Sequence, residues 1–183
     1  MKTPMKTLFG AVAAALMMAA PTAALANNTF EAHQQLWNNV PRIGVKTYIN
    51  NKALCSQGVD GAYFSGLRTL HICQDNGRPG GPQVSWTDND LDTLRHEVQH
   101  IIQDCAAGSL GDDVHSPMFD YDALKGFLRT SSLSQEQLNY IIRDYSMKGV
   151  SDSDIVIELE AWAVAADVDA SSINKKLLQY CGR

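Results

Sequence analysis

The chain has 183 residues, with 15 Lys and Arg against 20 Asp and Glu and a formal net charge of −5 at pH 7. That acidic balance leaves no basic stripe to neutralise phosphates, which argues against nucleic acid or an anionic membrane surface as partner. No stretch reaches the roughly 20 consecutive apolar residues of a membrane-spanning helix, so no stable membrane span is expected.

Residues 1–26 read as an export signal. Lys2 and Lys6 precede the apolar run "LFGAVAAALMMAA", and "PTAALA" follows, with Ala24 and Ala26 as the small residues of a cleavage site after Ala26. The expected product is residues 27–183, exported to the periplasm or secreted, and loss of the two signal lysines takes its formal charge from −5 to −7. Its length suits one domain around a single core. The next stretch reads as strand-rich: "VKTYINN", "ALCSQ", "GAYFS" and "RTLHICQ" carry β-branched and aromatic residues between Gly, Asn and Asp breaks. "NGRPGGP", residues 76–82, is a loop.

From Trp86 the pattern becomes helical. Thr87 is the expected N-cap, and Asp88, Asp90 and Asp92 sit near the positive helix end. Leu91, Leu94, Val98, Ile101, Ile102 and Cys105 recur at spacings of three and four, which is a buried helical stripe. The loop "AAGSLGDDVHSP" follows, and helices are then expected at about 119–129, about 134–147 capped by Ser134, and about 153–168. Ser171 or Ser172 is the expected cap of a last helix reaching Cys181. Strands first and helices afterwards indicate an α+β domain. The four cysteines, Cys55, Cys73, Cys105 and Cys181, form an even set in an exported chain and allow three disulfide pairings. The favoured pairing joins Cys55 to Cys73, in neighbouring strand-like runs, and Cys105 to Cys181, tying the C-terminus to the central helix.

Within the first long helix lies "HEVQH", residues 96–100. Histidines four apart on a helix point about 40° from each other, so His96 and His100 can reach one ion, while Glu97 adjoins that face and can reach a metal-bound water. Zinc suits two neutral imidazoles with a third protein ligand and one open position. A metzincin would carry Gly three and His six residues after the second histidine, where this chain has Gln103 and Ala106. "MFDYDALKGF" is a poor match to the aspartate stretch of aspzincins. A glutamate on a later helix remains, and "DIVIELEAWAVAA" offers Glu158 and Glu160, about 200° apart around a helix, so only one of them can face the metal.

With HEVQH and ELEAWA in place, residues 60–168 resemble the gluzincin metallopeptidases. The resemblance implies Zn2+ held by His96, His100 and Glu158, the glutamate three residues before Ala161, with Glu160 as second choice for the third ligand. It implies a zincin-like fold: a small antiparallel or mixed sheet, then the HExxH helix, then several C-terminal helices. Peptide-bond hydrolysis by zinc-activated water would follow, with Glu97 as general base acting on a peptide or protein substrate paired along "GAYFS" or "RTLHIC" as an edge strand. His115, Tyr121, Tyr140 and Tyr145 are the candidate donors to the oxyanion. Tyr63 and Phe64 read as core or cross-strand residues. Many gluzincins place an aspartate four residues after the ligand glutamate; here that position is Trp162, and Asp104, Asp167 or Asp169 is left to support the metal ligands. Two other functions fit the same residues. One is a non-catalytic exported zinc-binding or interaction module on a zincin scaffold; the other is an endopeptidase of peptidoglycan cross-links.

Overall fold

Short runs containing β-branched and aromatic residues form three four-residue strands in a computed structural model that describes residues 29–182. The expected export signal, residues 1–26, lies outside that range. The strands are β1 (Lys46–Ile49), β2 (Gly61–Phe64) and β3 (Thr69–Ile72), in the order β1-β3-β2. β3 runs parallel to β1 and antiparallel to β2, so the small sheet is mixed. "RTLHIC" is therefore the central strand. Its backbone is paired on both sides and cannot act as the substrate-pairing edge; "GAYFS", as β2, lies at an edge.

Two segments fold differently from expectation. "ALCSQ" is not a strand: Asn51 Oδ1 accepts from the backbone N–H groups of Ala53 and Leu54 at 3.0 and 3.2 Å, which starts the helical turn α2 (Lys52–Cys55) after the β1 segment. Asparagine at an N-cap satisfies donors that a strand would have turned to a neighbour. Upstream, α1 (Phe30–Asn39) is a helix in a half of the chain whose composition suggests strands. Thr29 caps it through Ala32, and Leu36 is buried in the core.

The remaining helices follow the capping residues closely. Thr87 and Asp90 close a reciprocal capping box at the start of α3 (Asp88–Ala107). Asp120 caps α4 (Tyr121–Thr130), Ser134 caps α5 (Gln135–Met147) and Ser151 caps α6 (Asp152–Asp167). For α7 (Ala170–Cys181) the cap is Asp169 rather than Ser171 or Ser172; its carboxylate accepts from the Ser172 backbone and from both serine hydroxyls, which brace it.

α3 is the centre of the molecule. Every residue from Thr93 to Asp104 is buried, because the sheet, α6 and α7 all pack on it. Its Leu94, Val98, Ile101 and Ile102 form the main core with Leu36, Leu70, Ile72, Val164, Ile173 and Leu177, whereas Leu91 at the first turn is only half-buried. α6 is apolar on nearly all sides and is enclosed: a second cluster of Leu138, Ile141, Tyr145, Ile155 and Leu159 joins it to α5. β2 reaches α3 at Gly61. A Cβ there would lie 2.6 Å from Thr93 Cγ2 and 3.3 Å from Glu97 Cγ, so only glycine permits the approach. Disulfides Cys55–Cys73 and Cys105–Cys181 form as the sequence suggested, each with Cα atoms 5.4 Å apart. On the chain-entropy model the first contributes about 3 kcal/mol and the second about 4 to 5. No helix among the described residues is long and apolar enough to cross a membrane.

Candidate metal centre

Helical periodicity places His96 and His100 on one side of α3, and the packing of α6 on that side brings Glu158 to them. His96 Nε2 and His100 Nε2 stand 3.0 Å apart, and each lies 3.4 Å from Glu158 Oε2. The three side chains are buried and form the His96, His100, Glu158 group that can hold a metal ion. For metal bonds of about 2.0–2.2 Å in tetrahedral geometry, ligand atoms stand roughly 3.3–3.5 Å apart, so this triangle is close to the size required. The donor chemistry agrees: two imidazole nitrogens and one carboxylate oxygen that has no hydrogen-bond donor of its own. Burial alone would raise the pKa of Glu158, but His100 and His96 beside it hold the carboxyl well below the usual range. Burial works against the charged form of His100, yet Glu158 raises its pKa to about 9.

Glu97 is on the neighbouring face of α3, toward β2. It is only 2% exposed and leaves Oε2 without a partner. Burial raises its pKa, and Glu158 adds to the rise, while the two histidines oppose it. The carboxylate is thus a stronger base than one in water. On the other flank the indole of Trp162 meets the His96 ring edge to face, with centroids 4.9 Å apart. This aromatic wall occupies the position where the resemblance would have an aspartate.

Of the four candidate oxyanion donors, two reach this region. His115, on the loop between α3 and α4, sets its ring at 81° to that of His100 with centroids 6.2 Å apart, and burial lowers its pKa to about 4. The Tyr145 hydroxyl on α5 lies near Glu158 and the Trp162 indole without closing a hydrogen bond of good geometry, and both it and Trp162 Nε1 remain unpaired. Tyr121 is 72% exposed under Lys125, and Tyr140 pairs with Arg143 on a helix surface. Neither is brought to the centre.

The expected supporting aspartates are engaged elsewhere. Asp104 accepts from the Tyr63 hydroxyl at 2.5 Å and from Gly111 N–H at 2.9 Å, Asp167 accepts from Ser132 N–H, and Asp169 caps α7. The first of these contacts also makes Tyr63 a core residue, as anticipated. Support for His100 comes instead from Gln103, whose Oε1 lies 2.8 Å from His100 Nδ1, while His96 Nδ1 has no partner. Gln103 Nε2 donates to Glu160 Oε1 at 2.9 Å. Glu160 is fully buried and faces away from the histidines. The sequence contained a signal for this pair: Gln99 and Gln103 are amides in a buried segment of α3, four residues apart and so on one face. No protein-family model, curated protein or solved structure matches the chain.

Proposed function

We propose that the chain is an exported zinc-dependent metallopeptidase in which His96, His100 and Glu158 hold the metal and Glu97 is the general base. The observation that supports this most strongly is the meeting of a three-donor metal group with a buried carboxylate that has one oxygen free. Bound zinc would supply Lewis acidity toward the substrate carbonyl and acidify a water molecule. Glu97 takes a proton from that attacking water and passes it to the leaving amine, a role its buried, unpartnered Oε2 leaves it free to play. A neutral His115 and the unpaired Tyr145 hydroxyl are the two groups suited to donate to the developing oxyanion. β2, at the sheet edge and packed through Gly61 against Thr93 and Glu97, is the strand along which a peptide would pair. The two disulfides suggest an oxidising, exported environment.

One observation favours the non-catalytic zinc-binding reading: His96, Glu97, His100 and Glu158 are all at most 7% exposed, which suits a metal held for structure. Metal content and turnover, measured together, separate the two. His96→Ala, His100→Ala and Glu158→Ala are expected to lose both zinc and hydrolysis. Glu97→Gln keeps zinc near one per chain while hydrolysis falls about 10²-fold or more. Near-normal turnover in Glu97→Gln sinks the peptidase mechanism, and a zinc-loaded wild type inert on both casein and cell-wall sacculi leaves the binding module. Cleavage of sacculi but not casein identifies peptidoglycan cross-links as the substrate.

A further inference from the structure

We propose that Glu160, acting through Gln103, is the positioning residue that decides which ring nitrogen of His100 is free for a metal, and that the same carboxylate anchors the loop carrying His115. The inference rests on the metal-binding part of the function above and not on peptide hydrolysis.

The argument begins from donors that have no choice of role. Glu160 Oε2 lies 2.8 Å from Met118 N and 3.0 Å from Phe119 N, and backbone N–H groups can only donate. Oε1 receives Gln99 Nε2 at 2.8 Å and Gln103 Nε2 at 2.9 Å. Four donors on two oxygens make Glu160 an acceptor throughout. Gln103 therefore turns its NH2 toward Glu160 and Ile157 O, which leaves Oε1 toward His100. An amide oxygen only accepts, so His100 Nδ1 carries the proton. In the neutral ring, the form that binds a metal, the lone pair then sits on Nε2, the nitrogen that faces His96 and Glu158. Glu160 thus dictates a tautomer two residues away in the hydrogen-bond chain. Its other oxygen holds the loop just after His115, helped by Ser116 N–H donating to Gln103 O at 3.1 Å.

Glu160→Gln tests this because it keeps size and removes one acceptor. With its new amide oxygen toward Met118 and Phe119, its NH2 meets the NH2 of Gln103. That amide then reverses and donates to His100, moving the ring proton to Nε2. The expected result is a zinc affinity about 10- to 100-fold weaker, read by chelator competition, with His100 changing tautomer in the ring-nitrogen NMR spectrum of 15N-histidine protein. Combining Glu160→Gln with Gln103→Glu restores an acceptor beside His100 and is expected to recover both tautomer and affinity to within a few-fold. A role in general stability alone would not be rescued in this way. Unchanged affinity and tautomer in folded Glu160→Gln, or no recovery in the double variant, overturns the proposal. Should Glu160→Gln not fold, Gln103→Met removes the acceptor while leaving the loop bonds intact, and wild-type zinc affinity there is equally fatal. If the wild type binds no zinc, the metal centre fails, and the relay is then read at a pH high enough for His100 to be neutral, where the proton sits on Nδ1 if the relay holds and on Nε2 if it does not.

Discussion

The two sides of α6 bury a glutamate each, two residues apart, and treat it in opposite ways. On the Glu158 side, Glu158 Oε2, Glu97 Oε2, His96 Nδ1, the Tyr145 hydroxyl and Trp162 Nε1 are all buried without a hydrogen-bond partner. On the Glu160 side, one carboxylate accepts from two backbone and two side-chain donors, and only Gln99 Oε1 is left over. An unpaired buried polar atom costs about 1–3 kcal/mol, whereas a satisfied network rigidifies its surroundings. The first side carries groups whose hydrogen bonds are incomplete within the chain, which suits a place where something else binds. On the second side the carboxylate is fully satisfied, and through Gln103 it reaches His100 on the first.

The largest expected effect that would break this contrast is in metal-free stability. Glu160→Leu strands four donors and is expected to lose at least about 3 kcal/mol in urea unfolding, while Glu158→Leu takes away the partner that keeps His100 charged and is expected to lose less, because the imidazole can give up its proton. Equal losses in the two variants would show that the sides are not different in kind. Next in size, zinc at 100 times its dissociation constant is expected to add about 2.7 kcal/mol to the wild type and to Glu97→Gln, and nothing to Glu158→Leu. A zinc response surviving in Glu158→Leu would move the ion off this triangle. Smallest is Tyr145→Phe, which deletes a hydroxyl that has no partner; its unfolding free energy is expected to change by less than about 1 kcal/mol. A loss on the scale of Glu160→Leu would mean that the hydroxyl is bonded in solution and belongs to the completed side.

Much of the helical half was legible because its signals are local. Thr87, with Asp90 three residues on, and Ser134, with Gln137 three residues on, each close a capping box within one turn, so the starts of α3 and α5 follow from four consecutive residues. α1 had the same kind of signal, Thr29 followed by Leu36 and Val40 at helical spacing, but the β-branched runs beyond it drew the whole region toward strand. "ALCSQ" misled for a related reason: its composition suits a strand, and the one residue that overrides it, Asn51, stands just before it. The mixed pairing of the sheet and the central place of β3 were beyond reach, since four-residue strands carry no mark of their neighbours.

The same division runs through the candidate metal centre. His96, Glu97 and His100 share one helical turn, so the α-helical period alone puts two imidazoles side by side and a carboxylate next to them. The Cys55–Cys73 and Cys105–Cys181 pairings were likewise within reach of the sequence, through the even cysteine count and the placing of Cys105 on the central helix. Between Glu158 and Glu160 the sequence could only say that one of them turns away. α6 is apolar around almost its whole circumference, so it has no polar stripe from which a direction can be read. Its packing on α3 settles the matter, turning Glu158 to the histidines and Glu160 to Gln99, Gln103 and the Met118 and Phe119 backbone. Gln103 looked from the sequence like a mismatch at a metzincin position; only the tertiary contact with Glu160, 57 residues along the chain, makes it a partner of His100. Local periodicity encodes which side chains share a helix face, but which face meets which is decided by the packing of whole helices around a common core.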